Sequence, residues 1–233
     1  MGAPLKAMIL AAGLGTRMRP LTLKTPKPLL PLNGKPLIEY HVQRLVEAGF
    51  VDIVINHAWL GEQIEEYLGN GSQYGANIQY SAEGDPLETA GGIRQALPLL
   101  VEDSCEQFVV VNGDVFTNYP FAQLKDLNPK GSYLVLVPNP EHNPAGDFVL
   151  ENDQVISEGA DRYTFSGISV LSADMFHHLS AGEPASLAPI LRSEIDKGCV
   201  SGELFTGYWA DVGTPQRLKE IELLLKEQQI DGL

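Results

Sequence analysis

Ala7-Met-Ile-Leu-Ala-Ala12 forms a continuous apolar run that leads directly into a glycine-rich loop beginning at Gly13. An apolar run without alternation is typical of a parallel strand that is covered on both faces. A second such run, Val51–Ile55, follows a helix pattern over residues 36–48, and Gly49 is suited to the end of that helix. Strand, helix and strand in this order predict a parallel β-α-β unit.

The alternation of strands and helices continues along the chain. The further strand and helix patterns cover 61–68, 78–81, 91–100, 108–111, 133–137, 147–150, 154–157, 163–171, 173–179, 186–197, 203–208 and 215–229. Beyond Pro120 the strand segments become short and are separated by turns, so the second half is expected to be mixed rather than purely parallel. We therefore predict one α/β domain over residues 1–233, with a Rossmann-like mixed, mostly parallel sheet and helices on both faces.

Charge is distributed unevenly along the chain, whose formal net charge is −14. Residues 1–38 contain six basic side chains and no acidic one. These basic residues are Lys6, Arg17, Arg19, Lys24, Lys27 and Lys35. The acidic remainder disfavours nucleic acid and anionic lipid surfaces, because long-range repulsion opposes polyanions. A basic segment on an acidic body instead predicts one local anionic ligand.

No segment of the sequence predicts membrane attachment or secretion. The apolar stretch over residues 7–14 is much shorter than the ~20 residues that a membrane span needs, and no signal peptide pattern precedes it. Cys105 and Cys199 are not in a disulfide-framework or metal spacing, and we interpret them as buried thiols in a reducing compartment. We therefore expect a cytoplasmic protein, and the sequence carries no signal for an oligomeric state.

The loop after the first strand has the composition of a phosphate cradle. The small residues Ala12, Gly13 and Gly15 let the backbone approach a ligand closely, and the N–H groups through Thr16 can contact phosphate oxygens. Arg17 and Lys27 add two cations. A G-x-G-x-x-G dinucleotide loop is disfavoured because Met18 stands at the third glycine position, and no G-x-x-x-x-G-K-[ST] loop is present.

The contiguous segment from Gly13 through Arg17 and Lys27 to Leu29 resembles the signature of the sugar-1-phosphate nucleotidyltransferases, and the resemblance extends over nearly the whole chain. In that family the glycine loop holds the triphosphate of a nucleoside triphosphate. The resemblance implies that Arg17 and Lys27 are catalytic, phosphate-binding cations and that Asn112 belongs to the nucleotide site. It also implies a nucleotide-binding half over 1–118 and a sugar-binding half over 119–233.

Two aspartates are candidate ligands of a magnesium ion. Asp114 follows the apolar strand pattern 108–111, and Asp211 lies between a strand pattern and Thr214-Pro215, which predict the start of a helix. Mg²⁺ takes one or two carboxylates together with water and substrate phosphate oxygens. Their match to the family's G-D and D-V-G-T-P motifs implies that both aspartates are catalytic metal ligands, with Mg²⁺ as cofactor.

The resemblance also suggests the substrates, a nucleoside triphosphate and a sugar 1-phosphate. It places Glu83 and Gly91 in a base-reading loop, and Gly146, Asp147, Glu158 and Thr164 in the sugar pocket. Glu88 replaces a glycine that guanylyl- and thymidylyl-transferring relatives often carry, which favours UTP. The family's usual Glu-Lys-Pro sugar motif keeps only Glu158 here.

The overall motif set resembles the short bacterial uridylyltransferases that act on N-acetylmuramate 1-phosphate in cell-wall sugar recycling. Mannose-1-phosphate guanylyltransferases, or transferases for another hexose 1-phosphate, are the alternative within the family. A nucleotide-binding regulatory module without turnover is the alternative of another class. The combination of Arg17, Lys27, Asp114 and Asp211 argues against it.

Overall fold

The computed structural model describes residues 5–102, 106–127, 129–227 and 230. Its strands are β1 (Lys6–Leu10), β2 (Pro31–Leu32), β3 (Lys35–Pro36), β4 (Asp52–His57), β5 (Asn77–Ala82), β6 (Gln107–Asn112), β7 (Val115–Thr117), β8 (Ser132–Val137), β9 (Phe148–Glu151), β10 (Gln154–Ile156), β11 (Arg162–Ser172), β12 (Val200–Leu204) and β13 (Trp209–Asp211). Its α-helices are α1 (Leu37–Glu47), α2 (Gly61–Leu68), α3 (Glu88–Leu100), α4 (Leu187–Asp196) and α5 (Pro215–Lys226).

One large sheet organises the fold, with the strand order β5-β4-β1-β6-β11-β8-β12-β10-β9. Strands β5, β4, β1 and β6 are parallel, as the apolar runs predicted. Strand β11 is antiparallel to β6 and β8, and its first residues also pair with β9. Because only β10 and β11 among the described strands of this sheet run against the others, the sheet is mixed and mostly parallel, which confirms the predicted fold class.

Alternate side chains of each central strand enter two separate apolar layers. Ala7 and Ile9 of β1 pack with the buried stripe of α1 and with α2, whereas Met8 packs with α3 and α4 on the opposite face. This alternation follows from the two-residue period of a strand. Helices therefore cover both faces, and the carboxyl ends of the four parallel strands meet at one edge, where ligands bind in folds of this kind.

Strands β7 and β13 form a short two-stranded ribbon beside the main sheet. The ribbon connects the carboxyl end of β6 to α5. Asp211 pairs with Val115, and the Val212 N–H donates to the Asp114 carbonyl at 2.7 Å. Helix α5 begins as predicted, because the Thr214 side chain accepts from the Arg217 N–H. A third apolar cluster, which includes Met18, Phe116, Val212 and Leu218, fixes this ribbon and α5 against the glycine-rich loop.

Some local predictions are wrong. The strand predicted over 203–208 is instead the end of β12 and the segment that connects it to β13. The helix predicted over 173–179 is a short 3-10 turn over Ala173–Phe176. Cys199 is half-buried rather than buried, and Cys105 lies outside the described residues. Within the described ranges, no helix is long and apolar enough to cross a membrane.

His41 of α1 lies beneath the loop that carries Asp114, and it gives the fold a predicted pH dependence. Burial, together with the neighbouring Arg44 guanidinium, lowers the pKa of His41 to about 4, against smaller opposing effects of Asp114 and the Val115 backbone. The unfolded chain takes up the proton near pH 6.5, whereas the folded chain does so only near pH 4. His41 therefore does not lower the free energy of unfolding above about pH 6.5, where it is neutral in both states. As the pH falls toward 4, the unfolded chain binds a proton that the folded chain does not, and the free energy of unfolding decreases.

We expect the free energy of unfolding to fall between about pH 6.5 and about pH 4.5 more steeply in the wild type than in His41→Gln. The difference in slope should approach about 1.4 kcal/mol per pH unit, the value for one proton. Urea denaturation at several pH values measures both slopes. Parallel slopes in the two proteins would show that His41 does not contribute.

Candidate active site

The carboxyl edge of the parallel strands contains a cavity of about 430 Å³. Its lining residues come from the loops after β1, β5 and β6, from the end of β4, and from the turn before α5. They are Leu10, Ala11, Ala12, Gly13, Leu14, Gly15, Thr16, Arg17, Met18, Lys27, Pro28, Asn56, Glu83, Pro86, Glu88, Thr89, Asn112, Gly113, Asp114 and Gly213. Most of the nucleotide-site residues predicted from the sequence therefore share one cavity.

The glycine-rich loop is held in a tight curl at the rim of this cavity. Gly15 has φ +61°, and a Cβ there would lie 2.8 Å from Thr22 Cγ2, so the position requires glycine. The Thr22 hydroxyl donates to the Gly15 carbonyl at 2.7 Å, and the fully buried Met18 anchors the following 3-10 turn. A Cβ added at Gly13 would meet no atom of the described residues within 4 Å, so this part of the loop faces open space. The exposed N–H groups of the loop suit phosphate oxygens.

The two predicted phosphate cations differ in their surroundings. Lys27 Nζ lies 2.6 Å from Asp114 Oδ2, and the lysine side chain is largely buried. Arg17 is exposed and makes no hydrogen bond or ion pair with the described residues. Its guanidinium lies near Gly213, where a Cβ would be 3.6 Å from Arg17 Cζ. One cation is therefore held by a site carboxylate, and the other is available to a ligand.

The fold brings Asp114 and Asp211 together from positions far apart in the chain. Gly113 is packed against the end of β1, because its N–H donates to the Leu10 carbonyl at 2.9 Å and a Cβ would lie 2.6 Å from that oxygen. This contact seats the Asp114 turn at the cavity. The pairing of β7 with β13 then places Asp211 on the neighbouring strand, although Asp211 itself does not line the cavity.

Asp211 is surrounded by positive and polar groups. Arg217 forms an ion pair with Asp211 Oδ1 and also contacts the Asp211 carbonyl at 3.3 Å. His142 Nε2 lies 3.0 Å from the same carboxylate oxygen. Both side chains were missed by the sequence reasoning, since neither stands in a recognisable motif and only the tertiary fold brings them to Asp211.

A hydrogen-bonded bridge joins the phosphate loop to the predicted base loop. Asn56, which is 2% exposed, accepts from the Ala11 N–H at 2.9 Å and donates to Glu83 Oε1 at 2.6 Å. Glu83 Oε2 in turn accepts from the Leu87 N–H at 2.9 Å. A Cβ at Gly92 would lie 2.3 Å from Glu83 Oε1, so a side chain there would displace the Glu83 carboxylate from this position. Asn56 was also missed from the sequence, and its only signal was a polar residue at the end of an apolar strand.

The structure does not bring Gly91 to the cavity. This residue lies inside α3, donates its N–H to the Ala185 carbonyl at 3.1 Å, and would place a Cβ 2.5 Å from the Glu183 carbonyl. Its small size serves the packing of α3 against that segment. Glu88, by contrast, lines the cavity and has φ +57°, which is unusual for a residue other than glycine.

The four predicted sugar-site residues lie outside the cavity lining. Asp147 accepts from the Phe165 N–H at 2.8 Å, and the Thr164 hydroxyl donates to Asn139 Oδ1 at 2.9 Å, so both hold the local structure. Gly146 has φ +63° and packs against Arg162, and Glu158 is exposed. His142 connects their region to Asp211.

A glycine-rich loop, two cations and two carboxylates at the carboxyl edge of parallel strands are the features expected of a nucleotide-binding α/β protein. The nucleotidyl transferase family model matches residues 6–228, and the chain belongs to that family. The N-acetylmuramate alpha-1-phosphate uridylyltransferase of Neisseria meningitidis is 54% identical over 94% of this chain and 98% of its own.

More distant relatives share the same framework. The mannose-1-phosphate guanyltransferase of Saccharomyces cerevisiae is 33% identical, and the match covers 91% of this chain but 62% of that enzyme. A Bacillus anthracis structure described as a putative glucose-1-phosphate thymidylyltransferase superposes with a TM-score of 0.82 at 22% identity, with 96% of both chains covered. The structure of HddC from Yersinia pseudotuberculosis gives a TM-score of 0.76 at 20% identity, over 95% of this chain and 99% of that one. Both structures support the fold.

Proposed function

We propose that the protein transfers UMP from UTP to N-acetylmuramate 1-phosphate, giving UDP-N-acetylmuramate and pyrophosphate. The observation that carries this proposal is the meeting of the glycine-rich loop, Arg17, Lys27 and Asp114 in one cavity, with Asp211 beside it. The identity of 54% to a uridylyltransferase with this substrate favours both the base and the sugar. We place the reaction in the cytoplasm, as part of cell-wall sugar recycling.

The two aspartates fit a magnesium ion. Asp211 pairs with Val115, and the Val212 N–H donates to the Asp114 carbonyl, so the two carboxylates stand on neighbouring backbone segments. That number suits Mg²⁺, which completes its shell with water and substrate phosphate oxygens. Asp114 and Asp211 would hold the ion, which would supply positive charge to the triphosphate and to the departing pyrophosphate.

In the proposed reaction, an oxygen of the sugar 1-phosphate attacks the α-phosphorus of UTP. The new P–O bond forms as the bond to the β-phosphate oxygen breaks, and the electron pair leaves with pyrophosphate. Arg17 and Lys27 stabilise the negative charge, while the N–H groups of residues 13–17 hold the phosphates in line. The attacking phosphate is already an anion, so no general base is needed.

Glu83 is suited to recognise the imide edge of uracil. Asn56 and the Leu87 N–H hold its two oxygens at the cavity, where a carboxylate oxygen can accept from the uracil N3–H. Cytosine and adenine present acceptors at the equivalent ring position and would be repelled. Guanine carries an N1–H, so Glu83 alone does not exclude GTP.

We expect Glu83→Gln to raise the KM for UTP about tenfold, equivalent to about 1.4 kcal/mol. A glutamine has one side-chain acceptor, so it cannot accept from both Asn56 and the Leu87 N–H, and one donor loses its partner. Steady-state kinetics at saturating sugar 1-phosphate measures the effect. Asp85→Asn, an exposed position in the same loop, is the matched control and should keep the wild-type KM.

A guanylyltransferase acting on mannose 1-phosphate is the alternative, supported by the 33% identity to such an enzyme. The deciding experiment follows pyrophosphate release from the purified protein with Mg²⁺. Each of UTP, GTP, dTTP, ATP and CTP is combined with N-acetylmuramate 1-phosphate, mannose 1-phosphate and glucose 1-phosphate. UTP with N-acetylmuramate 1-phosphate should give the highest kcat/KM. Faster turnover of GTP with mannose 1-phosphate would favour the alternative, and no turnover with any pair would contradict an enzymatic role.

We further propose that residues 1–118 bind the nucleotide and residues 119–233 bind the sugar. Nearly all cavity-lining residues belong to the first segment, and Gly213 alone among them comes from the second. Gly146, Asp147, Glu158 and Thr164 remain our candidates for the sugar side. Their support is the contact of His142, from the same region, with Asp211.

A further inference from the structure

Each proposed metal carboxylate already has a cationic partner in the folded chain. Lys27 Nζ lies 2.6 Å from Asp114 Oδ2, and the Arg217 guanidinium is paired with Asp211 Oδ1. The Asp211 side chain is 18% exposed and that of Arg217 is 23% exposed, so water screens this pair only partly. The carboxylates are therefore charge-compensated without a metal ion.

Both the backbone and the guanidinium of Arg217 are held by hydrogen bonds. Its backbone N–H donates to Thr214 Oγ1 at 3.3 Å in the first turn of α5, and its guanidinium contacts both the carboxylate and the carbonyl of Asp211. Gly213 lies against the same pair, because a Cβ there would be 2.9 Å from Asp211 Oδ2 and 3.0 Å from Arg217 Nη1. A side chain at position 213 would therefore crowd both the Asp211 carboxylate and the Arg217 guanidinium.

We propose that Arg217 is a positioning residue that holds Asp211 in the metal-free protein and competes with the divalent metal for this carboxylate. The inference rests on the proposed function in taking Asp114 and Asp211 as the metal ligands. A divalent cation beside a guanidinium is repelled, and a carboxylate that already has a cation gains less from it.

The same charges favour entry of the metal together with the triphosphate. A triphosphate in the cavity offers negative charge to Lys27 and to the exposed Arg17, and this charge weakens the hold of Lys27 on Asp114. Gly213 lines the cavity, and a Cβ there would lie 3.0 Å from Arg217 Nη1, so the charge of the triphosphate also acts on Arg217 and weakens its hold on Asp211. A metal ion that binds without the triphosphate brings no negative charge to offset these cations. Arg217 therefore makes metal binding depend on the nucleotide, and its removal should weaken that dependence.

The test measures binding of Mn²⁺ by calorimetry, first to the protein alone and then with a non-hydrolysable UTP analogue. Arg217→Gln should bind Mn²⁺ alone about tenfold more tightly than the wild type, because one repelling charge is gone. The gain in Mn²⁺ affinity on adding the analogue should fall by a similar factor. Arg217→Lys keeps the charge and should resemble the wild type.

Lys219→Gln is the matched control, because it removes one positive charge from an exposed position on the same helix. Its Mn²⁺ affinity should match that of the wild type. Circular dichroism checks folding, and Arg217→Met, which keeps the aliphatic stem, replaces the glutamine variant if that variant does not fold. Unchanged or weaker Mn²⁺ binding by the folded Arg217 variant would overturn the inference. If the wild type binds no Mn²⁺ even with the analogue, the proposed metal site itself fails.

Discussion

Replacing Asp114 with asparagine is expected to lower kcat/KM by about a thousandfold or more, with the fold intact. Asparagine keeps the size of the side chain but removes the negative charge that the proposed metal ion needs. It also removes the ion-pair partner of Lys27, which lies 2.6 Å away. Loss of a metal-centred charge stabilisation of about 4 kcal/mol corresponds to this factor.

The dependence of pyrophosphate release on UTP concentration, at saturating sugar 1-phosphate, gives kcat/KM and so measures the loss. Thermal unfolding confirms that the variant is folded. Asp126→Asn is a suitable control, because Asp126 is an exposed aspartate on a 3-10 turn away from the cavity. It should retain the activity of the wild type. Turnover by Asp114→Asn within a few fold of the wild type would remove Asp114 from the metal site.

Replacing Lys27 with glutamine is expected to lower kcat by about a hundredfold to a thousandfold. The residue supplies a largely buried positive charge at the cavity, where in the proposed reaction charge develops on the phosphates during transfer. Glutamine can still donate a hydrogen bond but carries no charge. The effect should fall mainly on kcat, because the charge stabilises the transition state more than the bound substrate.

Lys24→Gln separates this role from the general basic character of the N-terminal segment. Lys24 is exposed and lies outside the cavity lining, so its replacement should change kcat by less than about twofold. Equal losses in Lys24→Gln and Lys27→Gln would indicate a long-range field rather than a direct contact with phosphate. A rise in KM alone for Lys27→Gln would assign it to ground-state binding.

Much of the nucleotide side of the cavity follows from local sequence patterns. A parallel strand buried on both faces needs a continuous apolar run, and the loop after it lies at the carboxyl edge of the sheet. The run over residues 7–12 and the glycines after it were therefore sufficient to place the glycine-rich loop at this edge. Asp114 was predictable for the same reason, because it closely follows the apolar strand β6.

In other places the local pattern and the tertiary contacts differ. Gly91 was a candidate for the base-reading loop, and the fold packs it in α3 against the backbone of residues 183–185. A strand was predicted over 203–208 because the segment is partly apolar. The chain there instead leaves β12 and enters the β7–β13 ribbon, since pairing partners decide where a strand ends.

The sequence by itself determined the alternation of strands and helices in the first half, the glycine-rich loop after the first strand and the positions of the two candidate aspartates, because each depends on residues adjacent in the chain. Only the tertiary structure decided which charges meet. Lys27 and Asp114 are 87 positions apart in the chain. Asn56 contacts Ala11, which is 45 positions away, and Glu83, which is 27 positions away. His142 approaches Asp211 only through folding of the second half. Electrostatic energy depends on distance in space, and sequence separation does not fix that distance.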